Sequence, residues 1–160
     1  MLVAVAGLSA CTGADTPSPD AHTVTTGTPP DPPDQDDVTL VVHAIADEEQ
    51  LLAYCAAVSR RHRSLRGVAR PLLTRQRGHV EGLRSILTDV DPAPTSPRPR
   101  VPADAQRALA SLVERLTQTC NARFDDCVAA TSGLLAGRLA SMSASHAASA
   151  DLLATSRAAR

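Results

Sequence analysis

The sequence predicts an all-α fold, a bundle of four helices. Apolar residues recur at three- and four-residue spacing in four separate stretches. Five prolines in "DPAPTSPRPRVP" (91–102) divide these stretches into two pairs, and short breakers at Gly67 and Ser132-Gly133 part each pair internally. About 120 residues take part, enough for one domain with one core.

The first element is a leader rather than a helix of the bundle. Residues 1–10 are apolar or small and uncharged, and they end in Leu8-Ser9-Ala10 directly before Cys11. A run this short does not span a bilayer. "LSAC" resembles the lipobox of bacterial lipoproteins of the actinobacterial type. That resemblance implies cleavage before Cys11, a diacylglycerol on its thiol, and a place at the outer face of the cytoplasmic membrane. No Lys or Arg precedes the apolar run, so a true start upstream of Met1 is expected. The alternative is an ordinary secretory signal with a chance cysteine.

Residues 11–37 then read as a tether, rich in Pro, Thr, Ser, Gly and Asp, with six aspartates and no basic residue. A plain disordered terminus explains that composition equally well, but not the cysteine at its root.

Helix one is expected over 38–62, capped by Asp36 or Asp37, although "VTLVV" leaves a short strand open. Helix two follows Gly67 over 68–90. Helix three runs over 103–130 with Pro102 at its start, and helix four over 133–157. The joint between the pairs reaches ~37 Å if extended, about the ~35 Å length of a 23-residue helix, so it is able to cross the bundle from end to end. A simple up-down-up-down bundle with a slack middle loop is the alternative.

Composition excludes several function classes. All sixteen basic residues are arginine and the net charge is −1, so no general attraction to nucleic acid is implied. Tyr54 and Phe124 are the only aromatic residues, which leaves no stacking platform for bases. There is no Gly-x-Ser-x-Gly, phosphate loop, Cys-x-x-Cys or dinucleotide fingerprint, and nothing argues for an enzyme.

What points inward is more informative. On helix two, Leu72, Gln76, His79, Leu83, Ile86 and Val90 form the apolar stripe. On helix four the stripe is Leu135, Leu139, Met142, His146, Ser149 and Leu153. Each pair therefore turns one histidine inward. Glu48 and Glu49 border the stripe of helix one, so a carboxylate is expected beside the imidazoles.

Hairpin, long crossover and hairpin, with inward histidines on the second helix of each pair, resembles the ferritin-like superfamily over about residues 38–157. That family places a glutamate on each first helix and Glu-x-x-His on each second helix. Here "QRGH" supplies Gln76 and His79, and "SASH" supplies Ser143 and His146, so both histidines match and both motif glutamates are absent. Glu114, the acidic candidate on helix three, lies off that helix's stripe of Ala105, Leu109, Leu112, Leu116, Cys120 and Cys127 and should face solvent.

A di-iron centre needs several carboxylates and does not suit this set. One divalent ion does: zinc or copper by preference for imidazole, or iron by the resemblance, held by His79, His146 and Glu48 or Glu49 with Gln76 beside them. The alternative is that both histidines hydrogen-bond to polar neighbours and no ion or other cofactor binds.

Two further features remain. Cys120 and Cys127 are too far apart on one helix to bridge, so an intramolecular disulfide must involve Cys55. Parallel first and third helices bring Cys55 level with Cys120, antiparallel ones separate them, and free buried thiols are the other outcome. The turn "SRRHRSLRG" carries Arg60, Arg61, Arg63 and Arg66, either an anion patch for lipid headgroups, cell-wall phosphates or the acidic tether, or a solvated loop near a helix C-terminus; His62 within it should be exposed.

Two functional expectations follow. The first is a lipid-anchored bundle of the cell envelope acting through surface contacts with an envelope protein or with anionic wall and lipid groups. The second is a metal-binding or sensing domain.

Overall fold

The computed structural model describes residues 34–87 and 98–158, with side chains through Thr155. The expected leader 1–10, Cys11, most of the expected tether, Val90 and the first part of the proline joint lie outside the described residues.

Helix α1 spans Gln35–Arg61. The expected caps are corrected: Asp34 is the N-cap and its side chain accepts from Asp36 N, so the helix takes in three residues assigned to the tether, and "VTLVV" is helical rather than extended. Asp37 is buried and works elsewhere. Its Oδ1 and Oδ2 accept from Thr131 N and Ser132 N, each at 2.9 Å, and fasten the start of α1 to the turn after α3. Burial pulls the Asp37 pKa up, but the two amide donors outweigh it and hold the carboxyl below its ordinary value. Its contribution is therefore full above the ordinary carboxyl range and is lost as pH falls through the lowered value. Asp37→Ala should cost about 1–2 kcal/mol, since it removes the buried carboxylate that accepts from two part-buried amides. Urea unfolding at neutral pH measures this, and an unchanged midpoint would refute the clamp.

α1 ends at His62, which is extended, and a single 3-10 turn at Arg63–Leu65 leads into α2, Arg66–Arg84. Gly67 therefore does not mark the turn; it lies inside α2 at an ordinary negative φ. α2 stops six residues short of Val90. His62 is buried rather than exposed, because its Nε2 lies 2.9 Å from the Pro102 carbonyl oxygen.

α3, Ala105–Ala129, starts after Pro102 because Asp104 is its N-cap, accepting from Arg107 N at 2.8 Å. α4, Gly133–Ala158, begins where the Ser132-Gly133 breaker predicts, with Ser132 Oγ accepting from Leu135 N at 3.4 Å. The described residues thus form an all-α four-helix bundle.

Two hydrophobic clusters give the helix directions. In one, Leu51, Tyr54 and Val58 from the second half of α1 meet Leu109 and Leu112 from the first half of α3, and Leu153 from the end of α4. In the other, Val41 and Ile45 from the start of α1 meet Leu83 from the end of α2 and Leu135 from the start of α4. α1 and α3 are therefore antiparallel. α2 finishes at the end of the bundle opposite to where α3 begins, which overturns the up-down-up-down alternative. α1 packs closely on α2 and α3 on α4, whereas α2 and α4 scarcely touch.

That direction also settles the cysteines. Cys55 and Cys120 form no disulfide, and Cys55, Cys120 and Cys127 are free. Cys55 sits in the cluster with Leu112. Cys120 lies further along α3, its Sγ 3.4 Å from Ser143 Oγ, so the antiparallel helices hold the two thiols at different heights. Burial, reinforced by the charge of Glu48, pushes the Cys55 thiol up to about 12, which makes it a poor partner for disulfide exchange.

Candidate metal centre

The polar cluster lies between the two apolar ones. Glu48 is one helical turn beyond Ala44 on the core face of α1 and is fully buried. Its neighbour Glu49, about 100° around the helix, pairs instead with Arg84 near the surface, so Glu49 is no member of the cluster.

Each remaining helix sends one or two groups to Glu48. From α2, Gln76 Nε2 donates to Oε2 at 2.7 Å, and His79 Nδ1 lies 3.4 Å from the same oxygen. From α4, His146 Nε2 lies 2.9 Å from Oε1. The two imidazoles meet edge to face with centroids 5.0 Å apart. Burial raises the Glu48 pKa, but the bonds and charges of His146 and His79 more than offset it and hold the carboxyl at about 2.

α3 contributes a residue that sequence reasoning missed. Arg123 is 1 % exposed; its Nη2 reaches Asp47 at 2.8 Å and Asp126 at 2.9 Å, and its Nη1 lies 3.8 Å from Glu48 Oε1. A signal was present: the α3 stripe steps from Leu116 to Cys120 and then jumps to Cys127, and the skipped inward position is 123. Asp126 is raised above its ordinary value because burial, with Asp47 and Asp125 nearby, outweighs the pull of Arg123 and His43.

The other residues that the sequence singles out behave as their positions dictate. Glu114 is exposed, as expected, and accepts from Gln118. Ser143 donates to the Cys120 carbonyl at 2.9 Å. Arg60, Arg61, Arg63 and Arg66 are all exposed around the turn at Arg63–Leu65, far along α1 from the cluster.

Glu48, His79 and His146 each offer one ligand atom, and these atoms lie within 4.8 Å of one another. Tetrahedral coordination with bonds of ~2.0–2.1 Å sets neighbouring ligand atoms ~3.3 Å apart. His79 Nδ1 lies 3.4 Å from Oε2 and His146 Nε2 2.9 Å from Oε1, so each imidazole already stands near that spacing from its own carboxylate oxygen, and a shared ion requires the three groups to draw in from 4.8 Å. Two iron ions do not fit. The centre holds one carboxylate, Gln76 and Ser143 stand where the ferritin-like pattern has glutamates, and Arg123 brings a cation to the α3 side.

Access comes from the face where α2 and α4 stand apart. A cleft of about 600 Å³ there has Gly78, Gly82 and Gly137 in its walls and His79 at its side. His79 is the one member of the triad with solvent exposure, 14 % against 0–1 % for the others. A Cβ at Gly78 or Gly137 would meet nothing within 4 Å, so the missing side chains leave open space rather than relieve a clash.

Comparison with known protein families, curated proteins and solved structures finds no match.

Proposed function

We propose that this chain is a metal-binding bundle of the cell envelope, holding one zinc or copper ion between Glu48, His79 and His146 and performing no catalysis. The observation that carries the proposal is the convergence of three ligand atoms within 4.8 Å in a buried centre, with His79 reachable through a cleft. The ferritin-like kinship is part of this reading, supported by the antiparallel α1 and α3 and by one inward histidine on each second helix. So is the lipid anchor at Cys11, supported by "LSAC" before an acidic tether; no helix among the described residues is long and apolar enough to cross a membrane.

A bound ion supplies positive charge that the carboxylate and two neutral imidazoles share. Ligation through Nε2 of His146 requires the proton now shared with Glu48 to leave, so affinity should fall as pH falls. Arg123 sits 3.8 Å from the carboxylate and opposes a second cation, which favours a single ion of modest affinity over a two-ion centre.

A second reading rests on specific observations. Gln76 and Arg123 already attend the carboxylate, and His146 Nδ1 is buried with no hydrogen-bond partner, whereas a ligating histidine ordinarily donates through its other nitrogen. On that reading the cluster is a metal-free polar clamp and the protein works through its surface.

Elemental analysis of the full chain carrying Cys11→Ser, equilibrated with zinc or copper and then desalted, decides between them. One ion per chain is expected, lost in His146→Ala and in Glu48→Gln and retained in Glu49→Gln. A protein whose ion content is unchanged by His146→Ala, or which retains none, supports the clamp instead.

A further inference from the structure

We infer that the end of the bundle where α1 gives way to α2 and α3 begins is a docking face for an anionic lipid surface. The turn itself supplies Arg60, Arg61, Arg63 and Arg66. Tertiary structure adds a second set, because His62 Nε2 meets the Pro102 carbonyl at 2.9 Å and so brings the segment before α3 alongside the turn. Arg100 and Arg98 lie two and four residues before Pro102 and thus join the same pole.

All six side chains are exposed, and none forms an ion pair among the described residues. Asp104, the nearest carboxylate in sequence to Pro102, is occupied in capping α3 through Arg107 N. The opposite end carries Asp34, Asp36 and Asp125, with Asp126 paired to Arg123 and Arg138 bonded to the Gly82 carbonyl. Six exposed guanidiniums without an ion pair are therefore gathered at one pole of the described residues, against the exposed carboxylates Asp104 and Asp151.

Guanidinium presents two parallel N–H donors that match phosphate oxygens, and neighbouring arginines from two chain segments suit many phosphates in a plane better than one free phosphate. Each basic residue held near an anionic leaflet strengthens the association several-fold, and the effect fades within a Debye length. The N-terminal chain allows the contact. From Cys11 to Asp34 it reaches about 70 Å if extended at ~3.1 Å per residue, against about 40 Å for the length of α1, so an anchored bundle is able to turn its far pole to the membrane. The charge argument itself does not depend on the anchor or on the metal reading.

The test is co-sedimentation of the full chain carrying Cys11→Ser with vesicles of phosphatidylcholine alone or with about one third phosphatidylglycerol. Binding to the anionic vesicles should exceed that to neutral ones by about tenfold or more at low salt and collapse at high salt. Arg61→Gln/Arg63→Gln/Arg100→Gln should lose at least about tenfold, with unchanged helical circular dichroism because all three side chains are exposed, while Arg77→Gln on the body of α2 should bind as the parent does. Equal binding to both vesicle types, or a triple variant that binds as well as the parent, overturns the proposal. Soluble polyphosphate bound in preference to vesicles overturns it too, and assigns the pole to a free polyanion.

Discussion

Glu48→Ala should destabilise the bundle by about 3–5 kcal/mol, the range for removing one partner of a buried charged cluster. The change deletes the acceptor on which His79, Gln76 and His146 converge and leaves Arg123 without the negative charge 3.8 Å away. For a domain of this size the loss corresponds to a fall in Tm of about 10 °C or more, a large share of a typical 5–15 kcal/mol total. Thermal unfolding by circular dichroism measures it, and a shift of only a degree or two would mean that Glu48 holds nothing together. Acid titration gives a second readout. The Glu48 carboxyl is held at about 2 against an ordinary 4.5, so its contribution is complete above pH 4.5 and disappears as pH falls toward 2. Glu48→Gln should lose stability at neutral pH and lack that part of the acid-induced decline.

Arg123→Ala should cost about 3 kcal/mol, the low end of the same range, because Asp47, one of the carboxylates it leaves behind, is half-exposed and regains water. The informative comparison is the double variant. Once Glu48 is gone, Arg123 keeps Asp47 and Asp126 but has already lost its attraction to the third carboxylate, so removing both should cost less than the two single losses added together. Urea denaturation of the parent, both singles and the double measures the coupling. Strict additivity would show that the guanidinium and the carboxylate do not act on each other. Arg123→Ala should also tighten zinc or copper binding, since it removes a positive charge beside the carboxylate ligand.

The inward histidines were legible because periodicity is a property of one helix at a time. His79 and His146 sit on stripes of leucine, and a helix with those stripes has one way to bury them. Glu48 and Glu49 were not separable by that logic, since both flank the stripe and only the position of α2 decides which one finds partners and which finds Arg84. Arg123 was hidden for a related reason. Arginine is seldom buried unless paired, and its partners, Asp47 on another helix and Asp126 one turn on, become visible as partners only when α1 and α3 lie side by side. Breaker residues such as Gly67 and Pro102 do not set the helix ends; the observed ends follow the capping groups Asp34 and Asp104 and the extended backbone at His62.

By itself the sequence determined that the chain forms four helices, which face of each is apolar, and that each half turns an imidazole inward, because all of these depend on residues within a few positions of one another. Tertiary structure decided the antiparallel setting of α1 and α3, and with it the free thiols of Cys55 and Cys120, the choice of Glu48 over Glu49, the buried guanidinium of Arg123 and the gathering of distant arginines at one pole. Those outcomes depend on groups up to 98 residues apart, as Glu48 and His146 are, and no local spacing encodes which of them will meet.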